Sequence, residues 1–158
     1  MRMSRRKAAT QNLKKIKVKS KYIEAAGGVV FRNSAENDVE VLFIYRNGVW
    51  DIPKGKREKN ESIETCARRE VMEEVNASTL PEIVEELVTT HHEYTEKEKN
   101  YEKTTFWYSM FFEDPYQNFT PQTSEGIEEV RWVAIDKSLE MVGYKNLEKV
   151  LIDFQSKL

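Results

Sequence analysis

With a single cysteine, Cys66, among its 158 residues, the chain cannot form an internal disulfide, and packing must hold its fold. Cys66 lies inside a predicted helix beside the most acidic stretch, which marks it as a structural residue and not a reactive thiol. No apolar run approaches the roughly 18 residues of a membrane span, and no apolar segment follows the N-terminal basic residues as in a secretory signal. A cytoplasmic protein that does not engage a membrane is the expectation. Internal repeats are absent, and the one stretch of biased composition is N-terminal. Residues 1–21 lack any acid: they carry nine lysines and arginines, although the whole chain has a formal net charge of −2, so the remainder is strongly acidic. Residues 1–15 are read as a solvated, flexible basic tail, with a nucleic-acid arm, a targeting peptide or a polyphosphate contact as alternatives. The length fits one domain, residues 16–158, since a chain of this size buries about two-thirds of its unfolded surface.

What is present alternates between strand and helix patterns. Residues 16–23, Ile-Lys-Val-Lys-Ser-Lys-Tyr-Ile, alternate apolar and polar as a half-buried strand does. Residues 23–31 form a strand whose Gly27-Gly28 pair signals a bulge or a close backbone approach. A turn over 34–38, a strand over 39–45 and an Asn47-Gly48 turn follow. A helix is predicted from near Ser62 to near Val75. Strands are predicted over 82–92 and 104–112, joined by the charged segment 95–103. The second carries Phe106, Trp107, Tyr108, Phe111 and Phe112 and is expected to be covered on both faces. A long loop over 115–126, a strand over 129–134, a cap at Asp136 and an amphipathic helix over 139–154 complete an α/β sandwich.

The predicted helix at 62–75 brings Glu70, Glu73 and Glu74 to i, i+3 and i+4, within an arc of roughly 100°. Mutual repulsion should weaken the helix by a few tenths of a kcal/mol per close pair. A solvated acidic face is the ordinary explanation of such a cluster; a bound cation is the other, and Mg²⁺ or Mn²⁺ prefer such oxygen ligands. The frame around the cluster favours the cation. Gly55 stands six residues before Glu61, Glu61 stands eight before Arg69, and Arg69-Glu70-Val71 runs into Met72-Glu73-Glu74. This spacing resembles the Nudix box at every charged position. Two positions depart from it: Asn76 replaces the family glycine, and Ala77 a larger aliphatic residue. Asn is the commonest non-glycine residue in the left-handed conformation that ends such a helix.

The resemblance implies an α/β/α sandwich around a mixed β-sheet. It also implies a Mg²⁺-dependent hydrolase that cleaves a phosphoanhydride in a nucleoside diphosphate linked to another moiety. By resemblance Glu70, Glu73 and Glu74 hold the metal with the Gly55 carbonyl. Glu61 and Arg69 support the loop and helix, with Glu61 an outer ligand as the alternative. Glu125 is the candidate for a further ligand or the general base, Glu74 is the alternative base, and Glu128 and Glu129 rank behind. Lys54, Lys56, Arg57 and Arg46 are candidate phosphate contacts. Trp50-x-x-Pro53-Lys54-Gly55 resembles the form seen in dinucleoside polyphosphate hydrolases, in which Tyr94 could stack on a base. His91 and His92 are adjacent on a predicted strand, hence on opposite faces, and do not bind one metal together. The partner is a small nucleotide, with dinucleoside polyphosphates first, then nucleoside triphosphates, nucleotide sugars and diphosphoinositol polyphosphates. A non-catalytic nucleotide-binding module and an RNA-end hydrolase that uses the basic tail are the rivals, and monomer and homodimer stay open.

Overall fold

The computed structural model describes residues 19–158. The basic tail of residues 1–15, and positions 16–18 of the first alternating stretch, lie outside the described residues. From Ser20 onward that stretch and the next are one strand, β1 (Ser20–Asn33). Its first eleven residues pair in parallel with β7 (Lys99–Phe111), in unbroken register from Ser20 to Val30. Its end, from Phe31 to Asn33, pairs antiparallel with β2 (Val39–Arg46). Through β1 the sheet is therefore mixed. β2 carries β3 (Val49–Asp51) and β8 (Ile127–Ala134) on its two edges, and β7 carries β5 (Glu82–Glu86) and β6 (Thr90–Glu96). The short β4 (Lys54–Lys56) lies against Ala25 to Gly27 of β1.

Strand alternation divides the core into two layers. Leu42 and Ile44 of β2, with Ala26, Val30 and Met110, pack on Cys66, Ala67 and Val71 of α1 (Ile63–Glu74). Val41 and Phe43, with Val29 and Trp107, pack on Leu147, Val150, Leu151 and Phe154 of α3 (Lys145–Ser156). Each fully buried side chain of this size contributes about 1.5–3 kcal/mol, so the two helices clamp the sheet from both sides. The result is the expected α/β/α sandwich. Among the described residues no helix is long and apolar enough to cross a membrane.

The glycine pair in β1 serves a close approach and not a bulge. A Cβ at Gly27 would lie 2.2 Å from the Pro53 carbonyl oxygen, and the Gly28 N–H donates to that same oxygen at 3.1 Å. The loop that carries Gly55 is thereby pressed onto β1. At Asn47 and Gly48 φ is +55° and +76°, as the hairpin turn between β2 and β3 requires.

Five sequence expectations need correction. The stretch 82–92 is two strands, because the Val88 N–H leaves the ladder to bond Asp153 Oδ2 of α3 at 2.8 Å. The charged segment 95–103 is no loop but the tip of the β6–β7 hairpin, turning at Lys97 and Glu98, whose φ values are +50° and +65°. Phe111 is exposed on the last position of β7, whereas Phe106, Tyr108 and Phe112 face α1 and Trp107 faces α3. The helix predicted over 139–154 is broken into α2 (Ile135–Met141) and α3. At the break the Gly143 N–H donates to the Trp50 carbonyl, and a Cβ there would lie 2.6 Å from the Val49 Cβ. Asp136 lies in the first turn of α2, which Ala134 begins without any side-chain cap.

Candidate active site

Ser62 starts the acidic helix: its Oγ accepts the Thr65 N–H at 3.1 Å. Asn76 ends it with φ +49°, the conformation expected of the family glycine. Its side chain adds what glycine cannot, since Nδ2 donates to the Thr120 carbonyl at 3.2 Å. The Thr120 and Gln122 N–H groups donate in turn to the carbonyls of Val75 and Glu74. The long loop is thus tied to the end of α1, which carries the short 3₁₀ turn Thr123–Glu125 to the acidic face.

Glu70, Glu73, Glu74 and Glu125 line one cleft of about 380 Å³ with Gly55, Lys54, Lys56 and Arg46. The Glu70 carboxylate lies over Gly55, where a Cβ would come within 2.0 Å of it. Burial raises the pKa of Glu70, and Arg69 opposes the rise. Glu74 is 3% exposed and accepts the Lys54 N–H at 2.9 Å and Arg46 Nη1 at 3.0 Å. Burial pushes its carboxyl up to about 7 against the pull of Arg46 and Lys54. Glu73 reaches toward solvent.

Arg69 organises the approach to these carboxylates. Its Nε and Nη2 grip Glu61 in a fork, at 2.6 and 2.9 Å. Nη1 donates to Glu70 Oε1 at 2.7 Å and Glu73 Oε2 at 3.2 Å, and Nη2 also holds the Lys56 carbonyl. The fork holds the Glu61 carboxyl down to about 2, with burial working against it. A carboxylate depressed in the folded state adds stability that is present above its unfolded value of 4.5 and lost as pH falls through about 2. Thermal melting followed between these two pH values should therefore show a steep loss of Tm in the wild type and a shallower one in Glu61→Gln.

A family profile described as NUDIX domain matches residues 21–154. This chain belongs to the Nudix hydrolase family. Among solved structures it is similar to the C. elegans Ap4A hydrolase in a binary complex, with 22% identity, a TM-score of 0.64, and 85% of this chain and 96% of that one covered. It is also similar to the NUDIX domain of Shewanella oneidensis NrtR complexed with ADP ribose, at 19% identity and TM-score 0.68, covering 88% and 90% of the two chains. A third is the E. coli dihydroneopterin triphosphate pyrophosphohydrolase, at 15% identity and TM-score 0.67, covering 85% and 96%. At these identities the likeness is one of fold.

Nudix enzymes generally use divalent metals, and the donors of this cleft suit a hard cation. They are carboxylate and carbonyl oxygens, and one positive centre, Arg69 Nη1, already joins Glu70 to Glu73. Among the described residues no three His, Cys, Asp or Glu side chains converge as a finished ion site, and Arg69 and Arg46 pair with Glu70, Glu73 and Glu74. Gly55→Ala tests this packing: the added methyl must displace the Glu70 carboxylate, so activity is expected to fall about a hundredfold in a steady-state assay while α1 stays folded by circular dichroism.

Three of the four expected phosphate contacts already pair with carboxylates, Arg46 with Glu74 and Asp51. Arg57 is held by Glu24 at 2.9 Å and by the Glu61 carbonyl at 3.1 Å, so it braces β1 against the loop. The Lys54 ammonium pairs with buried Asp51, although Lys54 still lines the cleft. Tyr94 lies outside the cleft, stacked between His92 and Tyr101 with ring centroids 5.5 and 5.1 Å away. Glu129 pairs with Arg131 on β8, and neither it nor Glu128 lines the cleft. His91 bonds Thr104. Cys66 is buried and donates to the Gly55 carbonyl at 3.6 Å, and burial pushes its thiol up to about 12.

Sequence reasoning missed Lys103, Gln122 and Asp51. Lys103 and Gln122 line the cleft, and Asp51 anchors Lys54 beside it. The parallel pairing of β1 with β7, which brings Lys103 beside Ile23, left no signal in the sequence.

Proposed function

We propose that this Nudix hydrolase cleaves a phosphoanhydride bond in a nucleoside diphosphate linked to another moiety, with dinucleoside polyphosphates first among its substrates. One observation carries the reading: four carboxylates and a set of cations, Arg46, Lys54, Lys56 and Lys103, line a single cleft. Carboxylates alone would repel a polyphosphate, and cations alone would bind it without reaction. Glu70, Glu73, Glu74, Glu125 and the Gly55 carbonyl would hold Mg²⁺, or Mn²⁺ in its place. When bound, such an ion neutralises phosphate charge and makes a water molecule a stronger nucleophile.

The chain's own residues do the rest. Lys56 and Lys103 hold the phosphate oxygens, and Arg46, fixed by Glu74 and Asp51, keeps a positive charge at the cleft floor. Glu125 is the base that accepts the proton of the attacking water, with Glu74, by its position in the box, the alternative. Glu61 and Arg69 keep the Gly55 loop against α1. Residues 16–158 act as one domain in the cytoplasm.

A panel assay tests the reading: Mg²⁺-dependent release of phosphate or nucleotide from dinucleoside polyphosphates, nucleoside triphosphates, nucleotide sugars, diphosphoinositol polyphosphates and capped RNA. The highest kcat/KM is expected on a dinucleoside polyphosphate. Binding of these nucleotides without turnover of any would make the protein a binding module instead.

A further inference from the structure

Lys103 stands at a fork. It lines the carboxylate cleft and also a second cavity, of about 240 Å³, that opens beside it. The two cavities share only Lys54 and Lys103, and their chemistry differs. The first is walled by ionised groups. The second has Trp107, Tyr144 and Leu147 as apolar walls and Thr90, His92 and Asn146 as polar edges, and its one carboxylate, Asp51, is paired with Lys54.

The break between α2 and α3, which the sequence reads as continuous helix, makes this second cavity. Because Gly143 is bonded to Trp50, the chain turns there and delivers Tyr144 and Asn146 at the start of α3. Asn146 Nδ2 donates to the His91 carbonyl at 3.0 Å, which fixes its amide at the rim. Trp107 is 2% exposed and spends its one donor on Thr90 Oγ1, at 2.8 Å, so its ring is a rigid wall. Tyr144 is about half exposed and has room to close over an occupant. His92 is the cross-strand partner of Lys103, which joins the rim to the fork. Pockets for drug-sized ligands run to roughly 300–1,000 Å³, so this one suits a single ring system and not a whole nucleoside pair.

We propose that this cavity is the specificity pocket of the enzyme. It takes one nucleobase against the free face of Tyr144, with buried Trp107 closing the back of the cavity, Asn146 and His92 read the base edge, and Lys103 holds the phosphate on the path to the glutamates. The proposal rests on the hydrolase reading and deepens it. The base in the pocket is read, whereas the moiety beyond the cleaved bond extends past the glutamates into solvent and is tolerated. Lys103 is suited to its part: burial, with Lys54 and Lys56 close by, presses its ammonium down to about 8. A cation held among cations gains from an anionic ligand. Since charge on Lys103 costs stability below that pH, Lys103→Met should fold at least as stably as the parent.

Calorimetric titration of the four common nucleoside 5′-monophosphates into the turnover-deficient Glu73→Gln protein, in magnesium buffer, tests this without reading hydrolysis. One base is expected to bind about tenfold or more tighter than the others. In the same background Asn146→Ala should reduce that preference to about threefold or less. Tyr144→Ala, a change at an exposed position, should weaken all four by about tenfold. Lys103→Met should weaken the monophosphate about tenfold but leave the matching nucleoside unaffected. Four equal affinities, or affinities unmoved by these substitutions, would overturn the proposal. A failure of the hydrolase reading shows separately in the panel assay.

Discussion

Glu73→Gln and Glu74→Gln are each expected to lower kcat by about 10²–10⁴, the range associated with removing a group that positions or deprotonates the nucleophile. Neither should unfold the protein. Glu73 is nearly half exposed, and its ion pair with Arg69 contributes little at that exposure. Glu74 is buried, but glutamine keeps its shape and can still accept the Lys54 N–H, while Arg46 retains Asp51 at 3.8 Å. Because the Glu74 carboxyl is already pushed up to about 7, replacing it removes a buried charge that costs the fold something to hold. Its Tm should therefore stay close to the wild-type value or rise. Steady-state hydrolysis beside a thermal melt checks both halves. Near-wild-type turnover in either variant would remove these residues from the chemistry.

Arg69→Ala is expected to cause the largest loss of stability at the site, about 3 kcal/mol, in the range for removing one partner of a buried pair. In a chain of this size that is a fall in Tm of about 6–12 °C. The reason is the number of groups one guanidinium serves. It satisfies both oxygens of Glu61, screens Glu70 from Glu73, and ties the Lys56 carbonyl to α1. Its loss leaves carboxylates facing one another beside a loop that has lost its anchor, so activity should fall as well. Arg69→Lys should recover only a small part of the stability, because an ammonium cannot reproduce the fork. A full recovery by lysine would show that only the charge matters there.

Local signals in the sequence gave those parts of the molecule that local chemistry builds. The helix start near Ser62, the helix ending at a left-handed Asn76, the Asn47-Gly48 turn and the acidic face of α1 each follow from residue type and spacing over a few positions. Glu125 was a candidate by resemblance alone, and it lines the cleft beside that face. The loop's backbone bonds to Glu74 and Val75 bring it there. Long-range pairing was hidden. Lys97 and Glu98 turn a hairpin without glycine or asparagine, since the ladder of β6 on β7 imposes the conformation. Apolar periodicity runs through Gly143, and only contact with Val49 and Trp50 breaks the helix there. Lys103 looked like one charge in a charged stretch until β1 and β7 placed it among other cations. Arg57 looked like a phosphate contact because Glu24, its partner, lies 33 residues away in sequence.

The central claim is that the carboxylates of α1 serve metal-assisted hydrolysis of a phosphoanhydride. Phosphorus NMR of diadenosine tetraphosphate incubated with the wild-type protein, with magnesium and then with excess chelator, tests it most directly. The account predicts conversion to smaller nucleotides with magnesium and none with chelator, and loss of the magnesium-dependent conversion in Glu73→Gln. Conversion that persists undiminished in chelator, or in Glu73→Gln, would contradict it.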